Sequence, residues 1–120
     1  MKIAIPVNEK QGLESPIAKH FGRSLAYVFL DEQGEEKETL DNISEHGGGK
    51  GLPPELLKEK KADIVLCVDL GPRAVKLCQE LGVEVYIDKE AKTVKEIFHK
   101  WKDNKIKKAS EENACLDHKK

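Results

Sequence analysis

Residues 2–8 run almost unbroken in apolar side chains, as a strand covered on both faces requires. Residues 9–24 then place Gly12, Pro16 and Gly22 among polar neighbours. They read as a long excursion, which in a compact domain more often serves function than connection. Residues 25–32 form the next apolar run, and Gln33-Gly34 turns the chain tightly into residues 35–42, whose many charges suit an edge strand.

From residue 52 the period changes. Leu52, Leu56 and Leu57 mark a short helix that ends in Lys58, Lys60 and Lys61, cations suited to its negative end. Residues 63–70 are a buried strand centred on Ile64-Val65-Leu66-Cys67-Val68. Gly71-Pro72 opens a second helix with Ala74, Leu77, Cys78 and Leu81 at helical spacing, and Gly82 stops it. Val83, Val85 and Ile87 alternate as a last strand. Thr93 and Glu96 predict a capping box for a third helix carrying Val94, Ile97, Phe98 and Trp101 on one stripe. Past residue 107 the chain is polar and aperiodic, so one domain over 1–106 and a flexible tail over 107–120 are expected.

Three strands followed by strand–helix alternation predict an α/β fold: a mixed five-stranded sheet with helices on both faces. The first strand belongs at its centre, with the hairpin strands on one side and the strands near 64 and 84 on the other. In such sheets ligands gather beyond the carboxyl ends of the strands, where strand order reverses.

At 120 residues the chain suffices for one core. Lys plus Arg number 21 and Asp plus Glu 22, a balance without the global field that nucleic acid or a membrane surface would attract. The N-terminal apolar run is too short for a signal peptide and no later run reaches spanning length, so a cytoplasmic protein is expected. The cysteines, Cys67, Cys78 and Cys115, are odd in number and scattered, as reduced thiols are.

Two segments carry candidate chemistry. Glu45-His46-Gly47-Gly48-Gly49-Lys50-Gly51 runs into Leu52-Pro53-Pro54, so nearly bare main-chain amides meet a helix start, an arrangement that attracts anions. His20-Phe21-Gly22-Arg23, in the excursion after the first strand, offers a ligand, an aromatic lid and an anion clamp. Each segment alone reads equally as a turn. Together with the turn at Gly71 they suit an anionic, metal-containing guest: imidazoles coordinate borderline metals while Arg23, Lys50 and amides hold negative charge.

Other chemistries find little support. The first strand lacks the carboxylates that would hold catalytic magnesium, which argues against a nuclease. Lys50-Gly51-Leu52 lacks the hydroxyl of a nucleoside-triphosphate loop, and Ser15 and Ser24 have no nucleophile context. Cys67 and Cys78 fall on apolar stripes and read as core. Cys115 and His118 supply two ligands, too few for a closed site.

Taken in order, Met1-Lys2-Ile3-Ala4-Ile5-Pro6, Ser15-Pro16, His20-Phe21-Gly22-Arg23, Asn42, Glu45 to Gly51 and Leu70-Gly71-Pro72-Arg73-Ala74 resemble the dinitrogenase iron-molybdenum cofactor family over roughly residues 1–100. That family includes NifX-like and NafY-like carriers and the small domain of the NifB cofactor-synthesis enzyme. The resemblance implies a ribonuclease-H-like three-layer fold and reversible, non-catalytic binding of an iron-sulfur or iron-molybdenum-type cluster or its precursor. It implies His20 and His46 as metal ligands, with Phe21, Gly22, Arg23, Gly47, Gly48, Gly49, Lys50 and Gly71 as further contacts, and a protein donor or recipient of the cofactor. Two other readings stay open on the residues themselves: a small-molecule or phosphate-binding sensing module, and a protein-interaction adaptor.

Overall fold

A computed structural model of the chain describes residues 1–18, 25–41, 61–106 and 108–109. Five strands, β1 (Ile3–Val7), β2 (Ala26–Leu30), β3 (Glu36–Asp41), β4 (Ile64–Cys67) and β5 (Glu84–Ile87), form one sheet in the order β3-β2-β1-β4-β5. Helices α1 (Pro72–Glu80) and α2 (Val94–Lys102) and a 3-10 turn at Gly12–Glu14 complete the described elements. The helix expected around residues 52–61 falls outside them, save for Lys61. Among the described residues no helix is long and apolar enough to cross a membrane.

The sheet is mixed in the way the sequence predicts. β1 pairs antiparallel with β2 through five residue pairs from Ile3↔Leu30 to Val7↔Ala26, and β2 pairs antiparallel with β3. On its other side β1 runs parallel to β4, and β4 parallel to β5. Alternation along the strands divides the core between the two faces. Ile3, Ile5, Val7, Val28, Leu30, Ile64 and Leu66 pack with Val94, Ile97 and Phe98 of α2. Ala4, Tyr27, Phe29, Val65, Cys67 and Val85 pack with Val75 and Cys78 of α1. Helices therefore cover both faces.

Local chemistry fixes the ends of the helices. α1 begins at Pro72, whose missing amide hydrogen costs nothing in a first turn. It ends at Gly82, which takes a left-handed φ of 82°. The Gly82 amide donates to the Gln79 carbonyl and the Val83 amide to the Cys78 carbonyl, closing the last turn in a Schellman arrangement. Val75, absent from the stripe expected for this helix, is its fully buried residue along with Cys78. At α2 the Thr93 side chain accepts from the Glu96 amide, as a capping box requires. The reciprocal bond reaches one residue further back, Glu96 Oε1 accepting from the Lys92 amide at 2.9 Å.

The hairpin turn between β2 and β3 is organised by Asp31. Its Oδ1 accepts from the amides of Gln33 (2.9 Å) and Glu35 (3.0 Å), and its backbone carbonyl accepts from the Gly34 amide. The Glu35 amide above all holds the Asp31 carboxyl below its ordinary range. Partial desolvation opposes this, and the Gln33 amide and Lys37 ammonium reinforce it. Gly34 has φ 87°, and a Cβ there would stand 2.7 Å from Cε2 of Phe98 on α2. Only glycine satisfies both the turn and the close approach.

Two stability predictions follow from these turns. Gly82→Ala meets open space and carries only the left-handed backbone cost of about 1–2 kcal/mol. Gly34→Ala carries that cost plus about 1–3 kcal/mol for displacing a buried ring. Urea unfolding midpoints should therefore rank wild type above Gly82→Ala above Gly34→Ala. The Asp31 carboxyl has a lowered folded pKa, so its contribution is present above the unfolded carboxylate pKa and is lost as pH falls through the folded value. Asp31→Asn keeps an acceptor but removes the charge. Its stability should fall less steeply than wild type between neutral pH and the acid side of the carboxylate range, as read by urea unfolding across that window.

Candidate functional site

β1, β4 and β5 run parallel, so the segments that follow Val7, Cys67 and Ile87 all open at one end of the sheet. Val7 pairs with Ala26 and Ala26 with Asp41, so β3 also ends there. Connections after β1, β3, β4 and β5 thus leave from a common rim.

The first of these connections is tied down by its backbone. The Ala18 amide donates to the Pro6 carbonyl and the Asn8 amide to the Pro16 carbonyl, while the Ile17 amide donates to Lys92 and the Val94 amide to the Ser15 carbonyl. Residues 15–18 form a strap that bridges Val7↔Ile17 on one side and Pro16↔Thr93 on the other. Ser15 is fully buried, and its Oγ accepts from the Gln11 amide at 2.7 Å. The strap ends at Ala18, and the chain re-enters at Leu25, whose amide donates to the Val7 carbonyl. His20, Phe21, Gly22 and Arg23 lie between these two anchors and outside the described residues, as do His46, Gly47, Gly48, Gly49 and Lys50 beyond Asp41.

Gly71 is the predicted site residue that the structure describes. It caps α1 with φ −69° and ψ 160°, and its carbonyl accepts from the Val75 amide at 3.0 Å. Neither that backbone angle nor crowding demands glycine here, because a Cβ would meet nothing within 4 Å. The amino end of α1 thus lies just past β4 at the rim, and the partial positive charge of such a helix start favours an anion.

The described cysteines are not ligand material. Cys67 and Cys78 are fully buried, and burial pushes the Cys78 thiol up to about 11. Among the described residues no group of three or more His, Cys, Asp or Glu side chains could hold a metal ion. Nearest the rim is an open hollow of about 490 Å3 lined by Ile17, Val68, Lys89, Glu90, Ala91 and Lys92. Sequence reading missed it. Its walls come from three separate connections, and the one local signal was Asp88, an Asx-turn residue directly after a strand. Asp88 Oδ1 accepts from the Glu90 amide, and its Oδ2 stands 2.9 Å from the Lys100 ammonium.

Comparison with known proteins adds to this geometry. The sequence pattern of the family described as dinitrogenase iron-molybdenum cofactor matches residues 1–104. The chain belongs to that family. The apo form of the orange protein from Desulfovibrio gigas is similar in structure, with a TM-score of 0.79 at 25% identity over 90% of this chain and 92% of that one. A putative NifB protein from Thermotoga gives a TM-score of 0.72 at 25% identity, covering 88% of this chain and 90% of the other. The uncharacterized protein MJ0580 of Methanocaldococcus jannaschii is 28% identical over 91 residues, 72% of this chain and 73% of its own. The family resemblance read from the motifs thus holds over nearly the whole described sheet.

In this family member the buried thiols should behave as core. Iodoacetamide labelling of the native protein at mildly alkaline pH, mapped by mass spectrometry, should leave Cys67 and Cys78 unmodified, whereas the urea-unfolded chain labels at both.

Proposed function

We propose that the protein is a non-catalytic carrier that holds an anionic iron-sulfur or iron-molybdenum-type cofactor, or its precursor, at the carboxyl-end rim of a ribonuclease-H-like domain and passes it to a protein recipient. His20 and His46 are its metal ligands. Phe21, Gly22, Arg23, Gly47, Gly48, Gly49, Lys50 and Gly71 supply the lid, the countercharge and the amides. Residues 1–106 form the carrier domain and 107–120 its tail, of which Lys108 and Ala109 are seated against β5 by the Ala109 amide donating to the Val85 carbonyl.

The observation that carries this reading is the register Val7–Ala26–Asp41. Ala18 lies on the β4 side of β1 and Asp41 two strands away on the other side, so about three strand spacings, roughly 14 Å, separate the two anchors. His20 lies two residues past Ala18 and His46 five past Asp41, so extended-chain reach is roughly 7 Å and 17 Å respectively. Both imidazoles therefore have the span to meet one guest. Family membership supports the cofactor class, and a structural relative has been solved in a form called apo, as expected of a protein that releases what it binds. The burial of Cys67 and Cys78 removes the described thiols from the hold, which in this reading falls to imidazole and electrostatics and suits transfer better than permanent storage.

The test is anaerobic titration of the full chain with a four-iron four-sulfur cluster carrying labile thiol ligands, followed by visible absorbance and electron spin resonance. Native protein should take up the cluster, and Cys78→Ser should match it. His20→Ala combined with His46→Ala should lower affinity at least tenfold, and Arg23→Ala should reduce the salt sensitivity of binding. Absence of uptake, or uptake unchanged in the double histidine variant, overturns the proposal.

A further inference from the structure

We propose that Ile106, Lys108 and Ala109 form a guard strand that closes the β5 edge of the sheet against pairing with a second copy of this chain. The two edges of the sheet differ in kind. β3 presents Glu36, Lys37, Glu38, Thr39 and Asp41 around a single leucine, a charged edge of the sort that resists pairing. β5 carries Val85, Tyr86 and Ile87 after Glu84, a short run of strand-forming apolar residues that is prone to pair if left open. The bonds to β4 show which groups of β5 face outward. The amides of Glu84 and Asp88 donate to the carbonyls of Asp63 and Cys67, so even positions serve β4 and the backbone groups of Val85 and Ile87 face away from it.

The covering segment is bonded as a strand. The Ala109 amide donates to the Val85 carbonyl at 2.7 Å, and Lys108 stands opposite Tyr86 in an antiparallel bridge. Its side chains alternate as those of a strand do. Ile106, 9% exposed, joins the apolar cluster beneath α2, and Ala109, 5% exposed, joins the one beneath α1. The Lys108 ammonium lies 3.7 Å from Glu84 Oε2, and the Gln79 side-chain amide donates to the Ala109 carbonyl. The approach from α2 is equally defined. The amides of Asp103, Asn104 and Lys105 donate to the carbonyls of His99, Trp101 and Lys100, and Asn104 takes φ 61°. This short reversal delivers the chain from the helix directly onto the edge.

Without the guard, β5 is complementary to itself. A two-fold axis at Val85 pairs its outward amide and carbonyl with those of Val85 in the second copy. That register sets Glu84 of each copy opposite Tyr86 of the other, so that each phenol hydroxyl faces a carboxylate. Tyr86 and Glu84 already make that bond within one chain, at 3.1 Å. The guard prevails through its tether: it follows α2 after three residues, whereas a copy must come from solution. Its exposed Lys108–Glu84 pair adds little to this.

The test needs no cluster and is independent of the carrier reading. Sedimentation velocity and residue-resolved hydrogen exchange are measured on the cluster-free full chain. Wild type should be monomeric, with the Ala109 amide exchanging at least tenfold more slowly than an unstructured one. Ile106→Ser combined with Ala109→Pro removes an anchor on each face and the bond to Val85. That variant should dimerise at concentrations at least tenfold below any at which wild type does, with far-UV circular dichroism unchanged. Adding Ile87→Pro, which deletes an outward amide of β5, should return it to monomer. Where the paired substitution unfolds the chain, Lys108→Glu, an exposed change that sets two carboxylates together, decides in its place through faster Ala109 exchange and measurable dimer. A dimeric wild type, a folded paired variant that stays monomeric, association that survives Ile87→Pro, an unprotected Ala109 amide, or a deciding Lys108→Glu chain identical to wild type overturns the proposal.

Discussion

Pro6 sets the geometry at the carboxyl end of the sheet, because it is a residue without an amide hydrogen in the central strand. Along β1 the even positions turn their backbone groups toward β4 and the odd positions toward β2. The parallel ladder to β4 is formed at Ile3↔Ile64 and Ala4↔Val65. At Pro6 the strand has only a carbonyl to offer on that side, and the Ala18 amide takes it. The strap of residues 15–18 enters where the ladder stops, pairing with Val7. A proline is normally excluded from a central strand. Here the strand is central at its beginning and faces the strap at its end, so the missing donor falls where β4 no longer asks for one.

Several features of the rim depend on that substitution of strap for strand. The strap carries Ile17 into the floor of the hollow and delivers the chain at Ala18 toward His20. Its other edge is bonded to residues 92–94, the N-terminal approach to α2. The packing of α2 on the sheet through Val94, Ile97 and Phe98 therefore holds the strap as well as the core. The carboxyl end of β1 and the start of α2 are held by the same short segment. Binding residues are commonly carried on connections that a rigid scaffold positions, and the strap fixes where the connection after β1 begins.

Strand order, both helix starts and the Gly82 stop were legible because each rests on local chemistry: apolar runs, Pro72 in a first turn, a left-handed glycine. Edges were less so. The strand read as 25–32 is observed as Ala26–Leu30 because Asp31 spends its backbone and side chain on the hairpin turn. The strand read as 63–70 is observed as Ile64–Cys67, the residues beyond it turning into α1. The strap was marked only by Ser15-Pro16, since its partners at 92–94 are distant in sequence and the bonds are main chain to main chain, which leaves no residue pattern. The hollow was illegible for the same reason. For the candidate site, motifs named the residues, and the strand register supplies what motifs lack: the anchors from which the two histidine segments depart.

Weak retention follows from the donor set proposed for the rim and suits the proposed transfer role. A structural metal centre uses thiolates or several imidazoles in fixed geometry, so that folding and binding share one free energy. This chain places its described thiols inside the core, where burial raises the Cys78 pKa to about 11 and keeps the sulfur protonated at neutral pH. Two apolar clusters close on both faces of the sheet. Binding at the rim then adds little to stability beyond mass action, and release leaves the domain intact. A carrier of the proposed kind would discriminate by charge and by the spacing of two loop anchors rather than by strong ligation.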